Sequence, residues 1–130
     1  MKNPGKQGCR KTVFIVEDEA FTALMLQSEL EEMGHEVPDP FCTGEDAVKQ
    51  ALVQNPDLVI LDLDLAGELD GIETACDIMA SCTASFIFIT GYADGAERAS
   101  AAEIKPLAFF EKPIDVGELK SVIKRKFEGA

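Results

Sequence analysis

The sequence predicts an α/β domain: a (βα)5 chain whose five strands form one parallel, doubly wound sheet with helices on both faces. Two observations carry this expectation. Short segments of strand character begin at residues 12, 35, 57, 85 and 107, and apolar residues recur at helical spacing between them. Three of the strand segments are near-continuous apolar runs, the pattern of strands covered on both faces. Crossovers of this length join parallel neighbours with a right-handed turn.

Residues 1–10 (MKNPGKQGCR) are polar and are expected to form a flexible lead-in, with the folded domain spanning 11–127. TVFIVED (12–18) reads as the first strand. Ala23, Leu26, Leu30 and Met33 then make one helical stripe, and Gly34 is its stop. HEVPD (35–39) reads as the second strand, followed by a helix striped with Ala47, Val48, Ala51 and Leu52 and capped by Thr43. DLVILD (57–62) is the third strand. Its helix carries Ile72, Ala75, Cys76 and Met79, which makes Cys76 a core thiol. SFIFIT (85–90) is the fourth, and the alanine-rich helix over 93–103 has so weak a stripe that it is the least securely packed. LAFFEK (107–112) is the fifth strand. Val116, Leu119, Ile123 and Phe127 stripe the last helix, Asp115 caps it, and the KRK run at 124–126 suits its C-terminal dipole.

At 130 residues the chain has room for one core. A net charge of −12 argues against a nucleic-acid partner, which needs a basic footprint. No apolar run approaches the length of a membrane span, and no signal peptide is visible. Cys9, Cys42, Cys76 and Cys82 show neither CxxC pairing nor metal-ligand spacing, and read as reduced thiols in a cytoplasmic protein. His35 has no local ligand partner and reads as a passive residue at a strand start.

In doubly wound sheets, ligands sit beyond the carboxyl ends of the strands where the strand order reverses. The notable polar residues fall at those ends: Glu17, Asp18 and Glu19 after the first strand, Asp62 at the third, Thr90 with Gly91 at the fourth, and Lys112 before Pro113 at the fifth. Clustered carboxylates repel unless a cation neutralises them, and hard oxygen donors suit Mg2+ better than zinc. Such an ion serves phosphate chemistry. A hydroxyl from Thr90 and an ammonium from Lys112 answer the remaining phosphoryl oxygens. Asp62, central among them, is then the natural nucleophile, since carboxylates form aspartyl-phosphates.

These residues resemble the receiver domain of two-component response regulators over roughly residues 11 to 127. The matching motifs are VFIVEDE, PDLVILDLDL…DGIE, FITG and FFEKP, in family order. The resemblance implies a flavodoxin-like sheet of strand order 2-1-3-4-5 and a phosphoacceptor at Asp62. It implies Mg2+ held by Glu17, Asp18, Asp62 and the backbone carbonyl of Asp64. Thr90 and Lys112 would bind the phosphoryl group, and Thr90 and Phe109 would be the switch pair. Tyr92 and Asp64 would flank the path of the hydrolytic water. The domain would catalyse its own phosphorylation and dephosphorylation rather than act as a turnover enzyme. Its expected donor is a sensor histidine kinase or phosphotransfer protein. The protein would be a monomer or weak dimer, and its output would leave by protein contact or onward phosphotransfer.

The chain departs from the family pattern at Ala66, where a proline is usual, in a loop one residue longer before Asp70-Gly71, and in having Phe rather than Tyr at 109. FIFITGYAD also resembles the FATGUY stand-alone receivers that work with HWE/HisKA2-class kinases, although Ile89 and Ser85 replace that motif's Ala and Pro. Two other readings compete. LDLDLAG is similar to the nucleophile motif of haloacid-dehalogenase phosphatases, with Asp62 as nucleophile and Asp64 as general acid, but no later acidic pair follows. A phosphorylation-independent docking module would have lost part of the acceptor set, and here the set is intact.

Overall fold

The computed structural model describes residues 10–65, 67–92 and 94–128; Ala66, Ala93 and nearly all of the expected lead-in lie outside them. Four parallel strands form one sheet in the order β1 (Val13–Val16), β2 (Leu58–Asp62), β3 (Ser85–Thr90) and β4 (Ala108–Glu111). Between and after them run α1 (Ala20–Glu32), α2 (Gly44–Gln54), α3 (Gly71–Met79), α4 (Gly95–Glu103) and α5 (Val116–Glu128). β1, β2 and most of β3 are buried throughout. Alternate side chains serve two cores. Val13, Ile15, Leu58, Ile60, Ile87 and Ile89 face Leu26, Leu30, Leu119 and Ile123 of α1 and α5. Phe14, Val16, Val59, Leu61 and Phe88 face Ala47, Ala51, Ala75, Ile78 and Ala101 of α2, α3 and α4.

The expected second strand is the one element that does not form. Residues 36–41 instead touch the free edge of β1 at two parallel bridges, Thr12 with Glu36 and Val16 with Phe41. The local sequence explains this. Pro38 and Pro40 lack the N–H groups a ladder needs, and the shift in partners between the two bridges leaves one extra residue on the edge segment. Four backbone hydrogen bonds survive, at Val13–Glu36, Glu36–Lys11, Phe41–Ile15 and Glu17–Phe41. With this segment in second place, the order is the expected 2-1-3-4-5.

The helix caps follow the sequence reading. Asp46 N–H donates to Thr43 Oγ1 (3.2 Å), Glu118 N–H donates to Asp115 Oδ1 (3.0 Å), and Gly34 takes a φ of +97° after α1. α3 carries a full capping box: Glu73 N–H donates to Asp70 Oδ1 (2.8 Å) and Asp70 N–H to Glu73 Oε1 (3.0 Å). The face of α3, however, differs from the expected stripe. Thr74, Ala75 and Ile78 are buried, whereas Cys76 and Met79 are exposed, so Cys76 is not a core thiol. Two glycines set this rotation. A Cβ on Gly71 would lie 2.5 Å from Leu63 Cα, and one on Gly44 would lie 1.9 Å from Thr74 Oγ1. The bare backbones therefore let α3 press against the end of β2 and against α2 with Thr74 inward.

Candidate functional site

Each strand delivers its polar residue to the same rim because all four run in parallel. Asp62 is the last residue of β2 and pairs in register with Ile89, which places Thr90 one residue farther along β3. Thr90 in turn pairs with Glu111, next to Lys112. Glu17 directly follows β1. Asp62, Glu17 and Thr90 are almost completely buried, so their polar groups must be satisfied within the protein or by a ligand.

Lys112 is the hub. Its Nζ lies 3.1 Å from Asp62 Oδ2, 3.0 Å from Glu17 Oε1 and 3.7 Å from Glu19 Oε1. The contact with Glu17 is an ion pair outside hydrogen-bond geometry, and Glu17 Oε1 is left buried without a hydrogen bond. Glu17 Oε2 accepts from Glu19 N–H (3.0 Å), and Asp62 Oδ1 accepts from Asp64 N–H (2.8 Å). Burial opposes the charge on Lys112, but the close ion pair with Glu17, the hydrogen bond to Asp62 and the attraction of both carboxylates outweigh it and hold the ammonium above its ordinary range. Glu17 is pushed up to about 7, first by burial and then by its closeness to Asp62, against the pull of Glu19 N–H and Lys112.

Carboxylate oxygens of Glu17, Asp18 and Asp62 come within 4.8 Å of one another, with Asp18 on the exposed side. One ammonium among three acids leaves an excess of two negative charges when all are ionised. Hard oxygen donors, a buried oxygen with unused acceptor capacity and an open solvent side together fit a small divalent cation such as Mg2+.

The structure thus brings together Glu17, Asp18, Asp62 and Lys112. Thr90 joins them through Asp64, whose N–H also donates to Asp62. Thr90 Oγ1 donates to Asp64 Oδ2 (2.7 Å), Gly91 N–H donates to the same oxygen (3.0 Å), and Tyr92 N–H donates to Thr90 Oγ1 (3.2 Å). Beside the roles expected of its backbone carbonyl and of its place on the water path, the Asp64 carboxylate ties the ends of β2 and β3. The Tyr92 ring stands in solvent. Two further acids lie at this rim: Glu19, already legible at the end of the first strand, and Glu97, which the sequence does not single out. Glu19 reaches Lys112, and Glu97 in the first turn of α4 is held above its ordinary range by burial and by the field of Asp64, Asp94, Asp70 and Asp62. Glu97 sits on a different element, so only the folded rim shows it near the site.

Phe109 is half-buried on β4. The Arg98 guanidinium lies 4.5 Å from its ring centroid, and Arg98 is also paired with Glu111. Among the described residues, no helix is long and apolar enough to cross a membrane.

Known proteins repeat this architecture. The chain is 30% identical over 114 residues to the transcriptional regulatory protein PdtaR of Mycobacterium tuberculosis, covering 88% of this chain and 55% of that protein. It is 31% identical over 115 residues to the phyllosphere-induced regulator PhyR of Methylorubrum extorquens, covering 87% and 42%. It therefore spans about half the length of these curated relatives. The signal receiver domain of a modulated diguanylate cyclase from Desulfovibrio desulfuricans G20 superposes with a TM-score of 0.84 at 34% identity, covering 92% of this chain and 95% of that one. None of these matches supports the phosphatase reading of Asp62 and Asp64. The family profile for the response regulator receiver domain matches residues 13–124, and the chain belongs to that family.

Proposed function

We propose that the domain, over residues 11–127, takes a phosphoryl group from a phosphohistidine onto the carboxylate of Asp62. In this step the donor's N–P bond breaks, an Asp62 O–P bond forms, and the imidazole leaves with the electron pair. The observation that carries the reading is the setting of Asp62. It is buried, held on one oxygen by Asp64 N–H and on the other by Lys112, and lies beside the carboxylates of Glu17 and Asp18. The two hydrogen bonds fix the carboxylate before the donor arrives, which favours in-line attack. Lys112 meets one phosphoryl oxygen, and the Thr90 hydroxyl meets another after turning from Asp64.

Glu17, Asp18, Asp62 and the Asp64 carbonyl would hold Mg2+. Bound there, the ion offsets the repulsion between the carboxylate and the incoming phosphoryl oxygens. The donor is a histidine kinase or a phosphotransfer protein. The FITGYAD stretch favours the HWE/HisKA2 class, and the setting is cytoplasmic with the domain a monomer or weak dimer. The same site returns the phosphoryl group to water. Output runs through Thr90 and Phe109 to a protein partner.

The test is labelling with acetyl phosphate and Mg2+. Wild type should acquire acid-stable, base-labile label, and Asp62→Asn should acquire none. Undiminished label on the variant would remove Asp62 from the acceptor role.

A further inference from the structure

The hydroxyl assigned to the phosphoryl group is already engaged. Thr90 Oγ1 has one proton to give. Of its two acceptors, Asp64 Oδ2 at 2.7 Å is nearer than Tyr92 O at 3.0 Å and carries the charge that strengthens the bond. Gly91 N–H adds a second hydrogen bond to the same carboxylate oxygen, at 3.0 Å. Asp64 is itself fixed to the acceptor, because its N–H donates to Asp62 Oδ1 at 2.8 Å. Thr90 is completely buried, so a broken bond is not simply replaced by one to bulk water.

We infer that the Asp64 side chain is a resting-state latch: it holds the Thr90 hydroxyl and the Gly91 amide, and so competes with the phosphoryl group for them. Asp64 is here a positioning residue acting through Thr90, and its role rests on the reading of Asp62 as acceptor. Phosphorylation must break the Thr90–Asp64 bond before the hydroxyl can turn to Asp62. Part of the free energy of phosphoryl binding is therefore spent on release. Removing the latch should tighten binding of a phosphoryl mimic at the acceptor. Removing only its charge should do so partially, because an amide oxygen still accepts from Thr90.

The experiment measures beryllofluoride binding by amide NMR at saturating Mg2+ on wild type, Asp64→Ala and Asp64→Asn, each also with Thr90→Val. All three side chains leave the Asp64 backbone carbonyl in place. Asp64→Ala should bind the mimic roughly tenfold more tightly, the scale of losing a hydrogen bond to a charged group. Asp64→Asn should fall between it and wild type. The Asp64→Ala gain should vanish in the Thr90→Val background, because no hydroxyl remains to be released. Before any beryllofluoride is added, the Gly91 amide proton should move upfield in Asp64→Ala and little in Asp64→Asn. Equal or weaker binding by Asp64→Ala, an equal gain with Thr90→Val, or an unmoved Gly91 amide would each overturn the latch while leaving Asp62 as acceptor. If wild type itself bound no beryllofluoride, the Asp62 reading would fail and the latch with it.

Discussion

Glu17→Gln should make the domain more stable at alkaline pH and leave it unchanged in acid, when both proteins are measured in a chelator. Glu17 is almost fully buried, and its carboxyl is raised from 4.5 to about 7 by burial and by Asp62. A folded-state value above the unfolded one means that the folded protein binds the extra proton. The stability this contributes is fully present below about pH 4.5 and is lost as pH rises through about 7. The displacement corresponds to about 3 kcal/mol between the two limits. Glutamine keeps the shape without the titration, so the variant should gain up to about 3 kcal/mol over wild type at pH 8.5, or roughly 10 °C in Tm. The assay is urea denaturation across pH 4.5 to 8.5. Mg2+ adds a second readout: an ion held at this site must displace the Glu17 proton, so wild-type affinity should rise as pH rises through 7, with proton release. Parallel stability profiles for the two proteins, together with a pH-independent Mg2+ affinity in wild type, would refute the assignment of a charged-state penalty to Glu17.

Two further outcomes test other parts of the fold. His35 is buried, its Nδ1 accepts from Lys11 N–H at 3.1 Å, and burial, helped by Lys11 and Arg10 against Glu128 and Asp57, lowers its pKa. Its contribution is therefore present above its unfolded value near 6.5 and lost as pH falls below it, so His35→Gln should flatten the acid side of the stability profile; an unchanged acid limb would count against this. Phe109→Ala should leave Asp62 labelling intact and abolish the partner's response, at a stability cost of about 1–2 kcal/mol, below the range for a fully buried ring. Loss of 3 kcal/mol or more with no selective loss of response would make Phe109 plain core.

The rim of the site was legible because it depends on where strands end, and strand ends are marked by the switch from apolar runs to Glu17, Asp62, Thr90 and Lys112. Parallel pairing then collects those ends at one edge whatever the details of packing. The second strand was misread because Val37 and its neighbours look extended, while the cost of Pro38 and Pro40 falls on a ladder with β1 that no local pattern reveals. The face of α3 was misread for a related reason. Ile72, Cys76 and Met79 satisfy helical spacing as well as Thr74, Ala75 and Ile78 do, and the choice was made by contacts of Gly71 with β2 and of Thr74 with Gly44. The tie from the Asp64 carboxylate to Thr90 and Gly91 was not legible because a residue just past a strand can turn its carbonyl or its side chain inward, and only the register of β2 on β3 brings Thr90 and Gly91 within its reach.

That same register determines how a change at Asp62 can travel. Asp62, Asp64, Thr90 and Gly91 form one hydrogen-bonded chain from β2 to β3, and the segment after Gly91 leads directly into α4. α4 is the helix with least to lose on moving: Ala101 is its one buried residue, whereas α1, α2 and α3 each bury three or more. Local stability follows buried apolar contact, so α4 can shift for less free energy than those three helices. Its remaining ties lie at the outer surface, where Arg98 covers Phe109 and pairs with Glu111 at about half exposure on each side. An exposed pair of this kind holds by no more than about 1 kcal/mol, and a cation over the half-buried Phe109 ring adds about 1 kcal/mol. Release of Thr90 from Asp64 would therefore act on the least anchored helix, and on an aromatic ring whose cover is weak enough to move with it.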